Sequence, residues 1–284
     1  MVQIIRPKNL LLMALLQCFV LLKLGAYNYL FYDIFRTITL LSSTLLIAAG
    51  GYIINDYFDV KIDLVNKPAK VVIGKTLSRR RAIIFHIVFT ALGILCAAYI
   101  SIGTLGIAVL CTVLLYLYSS SLKKRFLVGN MTIAFLAALS VVICKTYIHD
   151  LDDTKIAAYS IFAALSTLLR EIVKDVEDEK GDMLFQSHSL AISLGLRRTK
   201  KILLLIVILL LAGVISYLAE AYHSSSMNEL FFWTYTLFLF AGVVFPLLYF
   251  IFKLLQAEKQ TDFAQLSRLV KIIMLIGIFS ILLS

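Results

Sequence analysis

The sequence is divided into long apolar runs, each close to the length that crosses a lipid bilayer. A spanning α-helix takes about 20 mostly apolar residues. Nine runs qualify, at approximately 9–30, 36–56, 81–101, 103–120, 127–147, 155–173, 201–220, 230–252 and 267–284. Inside a bilayer every backbone N–H and C=O must be satisfied by the protein itself, so such runs become helices. The expected fold class is an all-α membrane protein, with about nine transmembrane helices in one polytopic domain over residues 1–284. Composition agrees, because 61% of the residues are hydrophobic and only 15% charged. A soluble domain runs near half and a quarter. This balance excludes a secreted disulfide scaffold, a disordered tail and a DNA-binding domain. Cys18, Cys96, Cys111 and Cys144 all lie in apolar runs without CxxC spacing, as small packing residues do. The first run is too long for a signal-peptide core and shows no clear cleavage site, so it reads as a retained membrane helix.

The formal net charge of +10 would suggest nucleic acid in a soluble protein. Here it sorts by topology instead. With a cytoplasmic N-terminus, 23 of the 27 Lys and Arg residues fall on the inner side. Among them are Arg6 and Lys8, the group from Lys61 to Arg81, Lys123 to Arg125, the group from Arg170 to Lys201, and Lys253, Lys259, Arg268 and Lys271. This is the positive-inside pattern. It supports nine spans with the C-terminus outside, and it accounts for most of the positive charge without nucleic acid. Two long inner loops remain, at roughly 56–81 and 174–200.

Scarce acidic residues gather at the inner ends of two spans. The first cluster reads Asn55-Asp56-Tyr57-Phe58-Asp59-Val60-Lys61-Ile62-Asp63, and the second Lys174-Asp175-Val176-Glu177-Asp178-Glu179-Lys180-Gly181-Asp182. Positions i, i+3 and i+7 share one helix face. Asp56, Asp59 and Asp63 therefore form one carboxylate column, and Asp175, Asp178 and Asp182 a second. Stacked carboxylates repel and weaken a helix, so a divalent cation is the natural counter-charge. Mg²⁺ suits this role, because it takes one or two carboxylates and completes its shell with water and phosphate oxygens. Two such columns could present Mg²⁺ to a diphosphate. They also suggest an internal pseudo-repeat over 55–63 and 174–182, continued by Gly74 with Arg79 to Arg81 and by Gly195 with Arg197 and Arg198. Two similar helical units around a central cavity would follow.

A diphosphate also needs cationic donors. Lys123 follows Tyr116, Tyr118 and the Ser119-Ser120-Ser121 run at the membrane edge; Lys174, Arg170 and Arg79 flank the acidic clusters. Tyr52, Tyr57, Phe58, Tyr116 and Tyr118 are aromatic faces that could stabilise a carbocation. The four histidines are scattered and make no metal-ligand pattern.

Together these residues resemble the UbiA superfamily of intramembrane prenyltransferases. The likeness rests on Arg6-Pro7, Asn55-Asp56 with Asp59 and Asp63, Asn66-Lys67-Pro68, Tyr118-Ser119, Leu122-Lys123, and Asp175 with Asp178 and Asp182. It implies a central cavity capped on the cytoplasmic side, and transfer of a prenyl chain from a polyprenyl diphosphate to a lipophilic acceptor within the cell membrane. It implies Mg²⁺ held by both aspartate motifs, with Asn55 among the ligands of the first, and a diphosphate contact at Lys123. Two stretches depart from the family pattern, at Lys70-Val71 and at His188-Ser189-Leu190-Ala191. The Asn66-Lys67-Pro68 to Lys75 segment is similar to members that prenylate geranylgeranylglyceryl phosphate; a quinone-pathway aromatic is the other acceptor. The rival class, a polytopic transporter, would place charges near the midplane of broken helices.

Overall fold

The structure is a computed structural model that describes residues 4–24, 33–66, 68–178, 190–223 and 229–283. The described residues are almost entirely helical. In order they form α1 (Pro7–Lys23), α2 (Ile34–Asn66), α3 (Arg79–Ile100), α4 (Ile102–Ser120), α5 (Val128–Lys145) and α6 (Asp153–Glu177). Then follow the short α7 (Leu190–Leu194), α8 (Leu196–His223), α9 (Glu229–Leu239), α10 (Phe245–Gln256) and α11 (Gln260–Ser280). Eight helices among the described residues are long and apolar enough to cross a membrane, with α9 and α10 joined as one. The helix α1 has 17 residues.

Burial is sorted by size as lipid requires. In α4 the buried residues are Thr104, Ala108 and Ser119, while Val109, Leu110, Val113 and Leu117 face outward. Hydrocarbon solvates leucine as well as a protein interior does, so helices meet through small residues instead. The α2–α3 contact shows this most closely. A Cβ on Gly50 would lie 2.7 Å from Thr90 Oγ1, and one on Gly93 would lie 2.7 Å from Ile47 Cγ1. Ser43 Oγ donates to the Gly93 carbonyl at 2.8 Å.

Connections are tight where the sequence runs spans together. Ser101 alone separates α3 from α4, and its hydroxyl caps α4 by accepting from the Thr104 N–H. The α9–α10 span is interrupted by a π turn at Phe240–Val244. Pro246 follows it, and a proline removes one donor and crowds the carbonyl four residues back. A wide turn is the usual way to absorb that conflict.

The first inner loop is shorter than expected. The helix α2 continues through the whole first aspartate motif to Asn66, so those carboxylates stand on a helix rather than in a loop. The segment after it folds back compactly. Its Ile73 and Leu77 are buried against Ile53, Ala82 and Ile4, and Gly74 turns it with a φ of 87°. Gly195, the matching glycine before α8, also has a positive φ, 75°. Glycine enters that region without the steric cost other residues meet.

Candidate active site

Asp59 is 5% exposed, on the inward face of α2. A carboxylate so buried requires partners. Asn55, one turn earlier, donates to it at 2.8 Å, and the Lys123 ammonium forms an ion pair with it. Asp56 is paired at 2.8 Å with the Arg6 guanidinium, which also lies 4.9 Å from the centre of the Tyr52 ring. Asp63 is half-buried one turn above Asp59 and feels the charge of Lys123. The stacked carboxylates of α2 are thus offset by cations from elsewhere in the chain. Arg79, at the start of α3, lies 5.1 Å from the centre of the Tyr57 ring, which brings it beside the first motif.

The second motif stands at the end of α6. Asp175 accepts from Asn130 Nδ2 at 2.7 Å. Arg170 and Lys174 both turn to Glu171, at 2.8 and 3.4 Å. The helix ends at Glu177, and Asp178 is its C-cap, with its N–H on the Lys174 carbonyl. Asp175 and Asp178 close this helix; Asp182 lies outside the described residues, as do Lys67 and His188.

One turn, 121–130, reaches both motifs. Lys123 contacts Asp59 from it, and Asn130 contacts Asp175. Its shape is specific. Leu127 takes a φ of 59°, and a Cβ on Gly129 would stand 2.9 Å from Lys123 Cα. Gly129 thereby lets the backbone fold directly onto Lys123. Tyr118, at the end of α4, lies within electrostatic reach of Glu171 and Asp175 on one side and Asp59 and Arg6 on the other. The sequence-derived residues Asn55, Asp56, Asp59, Tyr118, Lys123, Arg170, Lys174 and Asp175 thus come together around the ends of α2, α4 and α6.

Three partners were not anticipated. Arg6 was read as a topology charge and part of Arg6-Pro7, not as the partner of Asp56. Glu171 carried a readable signal, since Arg170, Lys174 and Asp175 are all within one helical turn of it. Asn130, a lone amide starting an apolar helix, carried none.

Among the described residues, no three His, Cys, Asp or Glu side chains converge as an all-protein metal cage. The donors are single carboxylates one turn apart, without sulfur or imidazole. Such a set suits a hard cation that draws its remaining ligands from water and phosphate, as Mg²⁺ does. That Asp56 and Asp59 each hold an organic cation shows that this face calls for positive charge.

A cavity of about 430 Å³ lies elsewhere, between α6, α8, α9 and α11, lined by Phe162, Leu165, Tyr217 and Tyr235. Leu165 precedes Asp175 by about 15 Å of helix, so this cavity is separate from the carboxylates.

The sequence profile of the UbiA prenyltransferase family matches residues 7–273. A digeranylgeranylglyceryl phosphate synthase from Methanosphaera stadtmanae is 31% identical over 98% of this chain and 96% of its own. One from Methanothrix thermoacetophila is 33% identical over 77% of this chain and 79% of its own. Among solved structures, a digeranylgeranylglyceryl phosphate synthase has a TM-score of 0.73 at 24% identity, covering 99% of this chain and 95% of the other. A UbiA homologue from Archaeoglobus fulgidus, bound to DMAPP and Mg²⁺, has a TM-score of 0.66 at 16% identity, covering 99% and 98%. The fold is shared with both.

Proposed function

The chain belongs to the UbiA prenyltransferase family, and on that premise we propose that it prenylates geranylgeranylglyceryl phosphate from a polyprenyl diphosphate, with Mg²⁺ at the two aspartate motifs. It is a multi-pass membrane protein and a transferase of prenyl groups. The observation that carries the reading is the turn 121–130, which ties Lys123 to the first motif and Asn130 to the second. A diphosphate bridging two metal-binding carboxylate sets needs those sets on one cavity, and this turn spans them. The full-length likeness to digeranylgeranylglyceryl phosphate synthases supports the glycerol phosphate acceptor over a quinone-pathway aromatic.

Asp56, Asp59 and Asp63 would hold Mg²⁺ on one side, and Asp175, Asp178 and Asp182 on the other. When bound there, Mg²⁺ supplies Lewis-acid neutralisation of the diphosphate leaving group. Lys123, with Arg79 and Lys174, would supply positive charge to the oxygens on which negative charge develops as the allylic C–O bond breaks. Arg6 and Asn55 keep Asp56 and Asp59 oriented. The electron pair of that bond leaves with the diphosphate, the acceptor hydroxyl oxygen forms the new C–O bond, and its proton passes to the released diphosphate, the base that the reaction itself supplies. Tyr118 offers an aromatic face to the cationic carbon. The apolar helices around the site keep water from quenching it.

The carboxylates belong to the cytoplasmic side in this reading, with the N-terminus inside and the C-terminus outside, because the basic residues gather at the same face. The chain works as one polytopic unit, and the matching glycines Gly74 and Gly195 support a pseudo-repeat of the two motif segments.

The test is mass spectrometry of lipids from purified protein given geranylgeranyl diphosphate, Mg²⁺ and either geranylgeranylglyceryl phosphate or an aromatic acid. A digeranylgeranylglyceryl phosphate product is expected. Prenylation of the aromatic acid alone would overturn the acceptor assignment.

A further inference from the structure

Lys271 occupies an unusual place. It is the twelfth residue of the 21-residue helix α11, followed by a nearly unbroken apolar run to Leu283. Its sequence reading was a charge of the inner face. A lysine at such a position can run along lipid to reach water. Instead its ammonium points to α1 and donates to Asn9 Oδ1 at 3.4 Å. The Asn9 N–H in turn donates to the Arg6 carbonyl at 2.9 Å, at the start of α1. The charged groups that act on Lys271 are Arg170 of α6 and Lys8 of α1, both cations. Lys8 precedes Asn9 on α1 and α6 packs against α11, so cations of both neighbours lie within electrostatic reach of Lys271.

Like charges gathered at the edge of a low-dielectric region repel strongly. Glu171 relieves part of this, through Arg170, Lys174 and the field of Arg6. Through direct ion pairs three cations, Arg6, Arg170 and Lys174, already meet the two carboxylates Asp56 and Glu171, before Lys8 and Lys271 are added. The surplus is positive. It lies on the Tyr52 and α1 side of the site, whereas Lys123 and Asn130 serve the carboxylates from the α4–α5 side.

We propose that Lys271, Arg170, Lys8 and Asn9 form the dock for a phosphate monoester, the head of the acceptor lipid, apart from the diphosphate cations. A monoester carries close to two negative charges at neutral pH. Lysine and arginine donors from separate helices match its several oxygens, and Asn9 fixes the direction of the Lys271 ammonium. The Asn9–Arg6 backbone bond places this dock next to the Arg6–Asp56 pair, so that the acceptor head is held beside the first motif.

The assignment of the monoester to the acceptor rests on the function proposed above, and the experiment has one arm for each. In the kinetic arm, Lys271→Met raises the KM for geranylgeranylglyceryl phosphate by about tenfold or more, as loss of a charge-assisted hydrogen bond should. The donor KM stays within about twofold, Lys271→Arg recovers most of the loss, and geranylgeranylglycerol, without the phosphate, is used with the same KM by both proteins. An unchanged acceptor KM, or a donor KM that rises in step, overturns the dock. If wild type gives no product with any of these acceptors, the proposed function fails, and the binding arm decides the dock alone. There, dodecyl phosphate raises the unfolding temperature of detergent-solubilised wild type and loses that effect in Lys271→Met. Equal stabilisation of both proteins overturns the proposal. So does a dialkyl phosphodiester that binds as tightly, which would mark a bilayer headgroup contact, or inorganic phosphate that does, which would mark a free-anion site.

Discussion

At Asp56 and Asp59 the neutralising cations are Arg6 and Lys123, 50 and 64 residues away in the chain. At Glu171, beside the second motif, they are Arg170 and Lys174, within one turn of the same helix. The two motifs share their aspartate spacing, yet they solve charge repulsion differently. An isolated α6 can form its own ion pairs, and pairs of that kind contribute only about 0.2–0.5 kcal/mol each. The column on α2 is unfavourable until α1 and the turn 121–130 have docked against it. Helix formation there depends on tertiary structure, and so does the cation arrangement that awaits a diphosphate.

The largest effects test whether the motifs act together. Asp56→Ala or Asp175→Ala should each lower Mg²⁺-dependent diphosphate release by at least about 10³-fold, and chelation of Mg²⁺ should match them. A coupled diphosphate assay reads this; full activity in either variant would break the pairing. Next, the local and distant cations should differ. Lys123→Met should cost about 10²-fold in kcat. Lys174→Met should cost about tenfold, because Arg170 still neutralises Glu171. Equal losses would erase the distinction. The shared turn comes third. Gly129→Ala forces a Cβ to within 2.9 Å of the Lys123 backbone. It should lower kcat by about tenfold through displacement of Lys123 and Asn130 together, and an unchanged rate would show that the turn has slack. The smallest effect is on stability in detergent. Lys123→Met leaves Asp59 with Asn55 and should cost about 2 kcal/mol, whereas Lys174→Met should cost no more than about 0.5 kcal/mol. Denaturant melts that move by the same amount would remove the contrast between distant and local pairing.

The helices and their order were readable because lipid leaves a chain few alternatives, and each apolar run then has one outcome. Span ends were less readable. The apolar criterion stops α2 near residue 56, but the helix runs ten residues further, since Asn55 and Lys123 make its charged tip tolerable. Lys123 could be singled out from its place after Tyr118 and the serines. The match between Arg6 and Asp56 could not, because no local pattern links residues on separate helices. The same holds for Asn130, whose partner on α6 is visible only once α5 and α6 pack. Lys271 shows the opposite case: reading it only as a charge of the inner face concealed that it turns to Asn9 on α1.

The uninterrupted length of α2 has a mechanical consequence. Its 33 residues make a rod of about 50 Å, longer than the roughly 30 Å hydrocarbon layer. A rod pivoting freely at its far end by about 5° would carry its tip about 4 Å, more than the length of a hydrogen bond. The close passage of Gly50 and Gly93 sets a fulcrum partway along it. Only the stretch after Gly50, about 24 Å of helix, can then swing, and the same tilt moves the tip by about 2 Å. Changes in bilayer thickness tilt spanning helices; with a fulcrum at this pair of glycines, the displacement such a tilt gives the tip is about half that of a free rod.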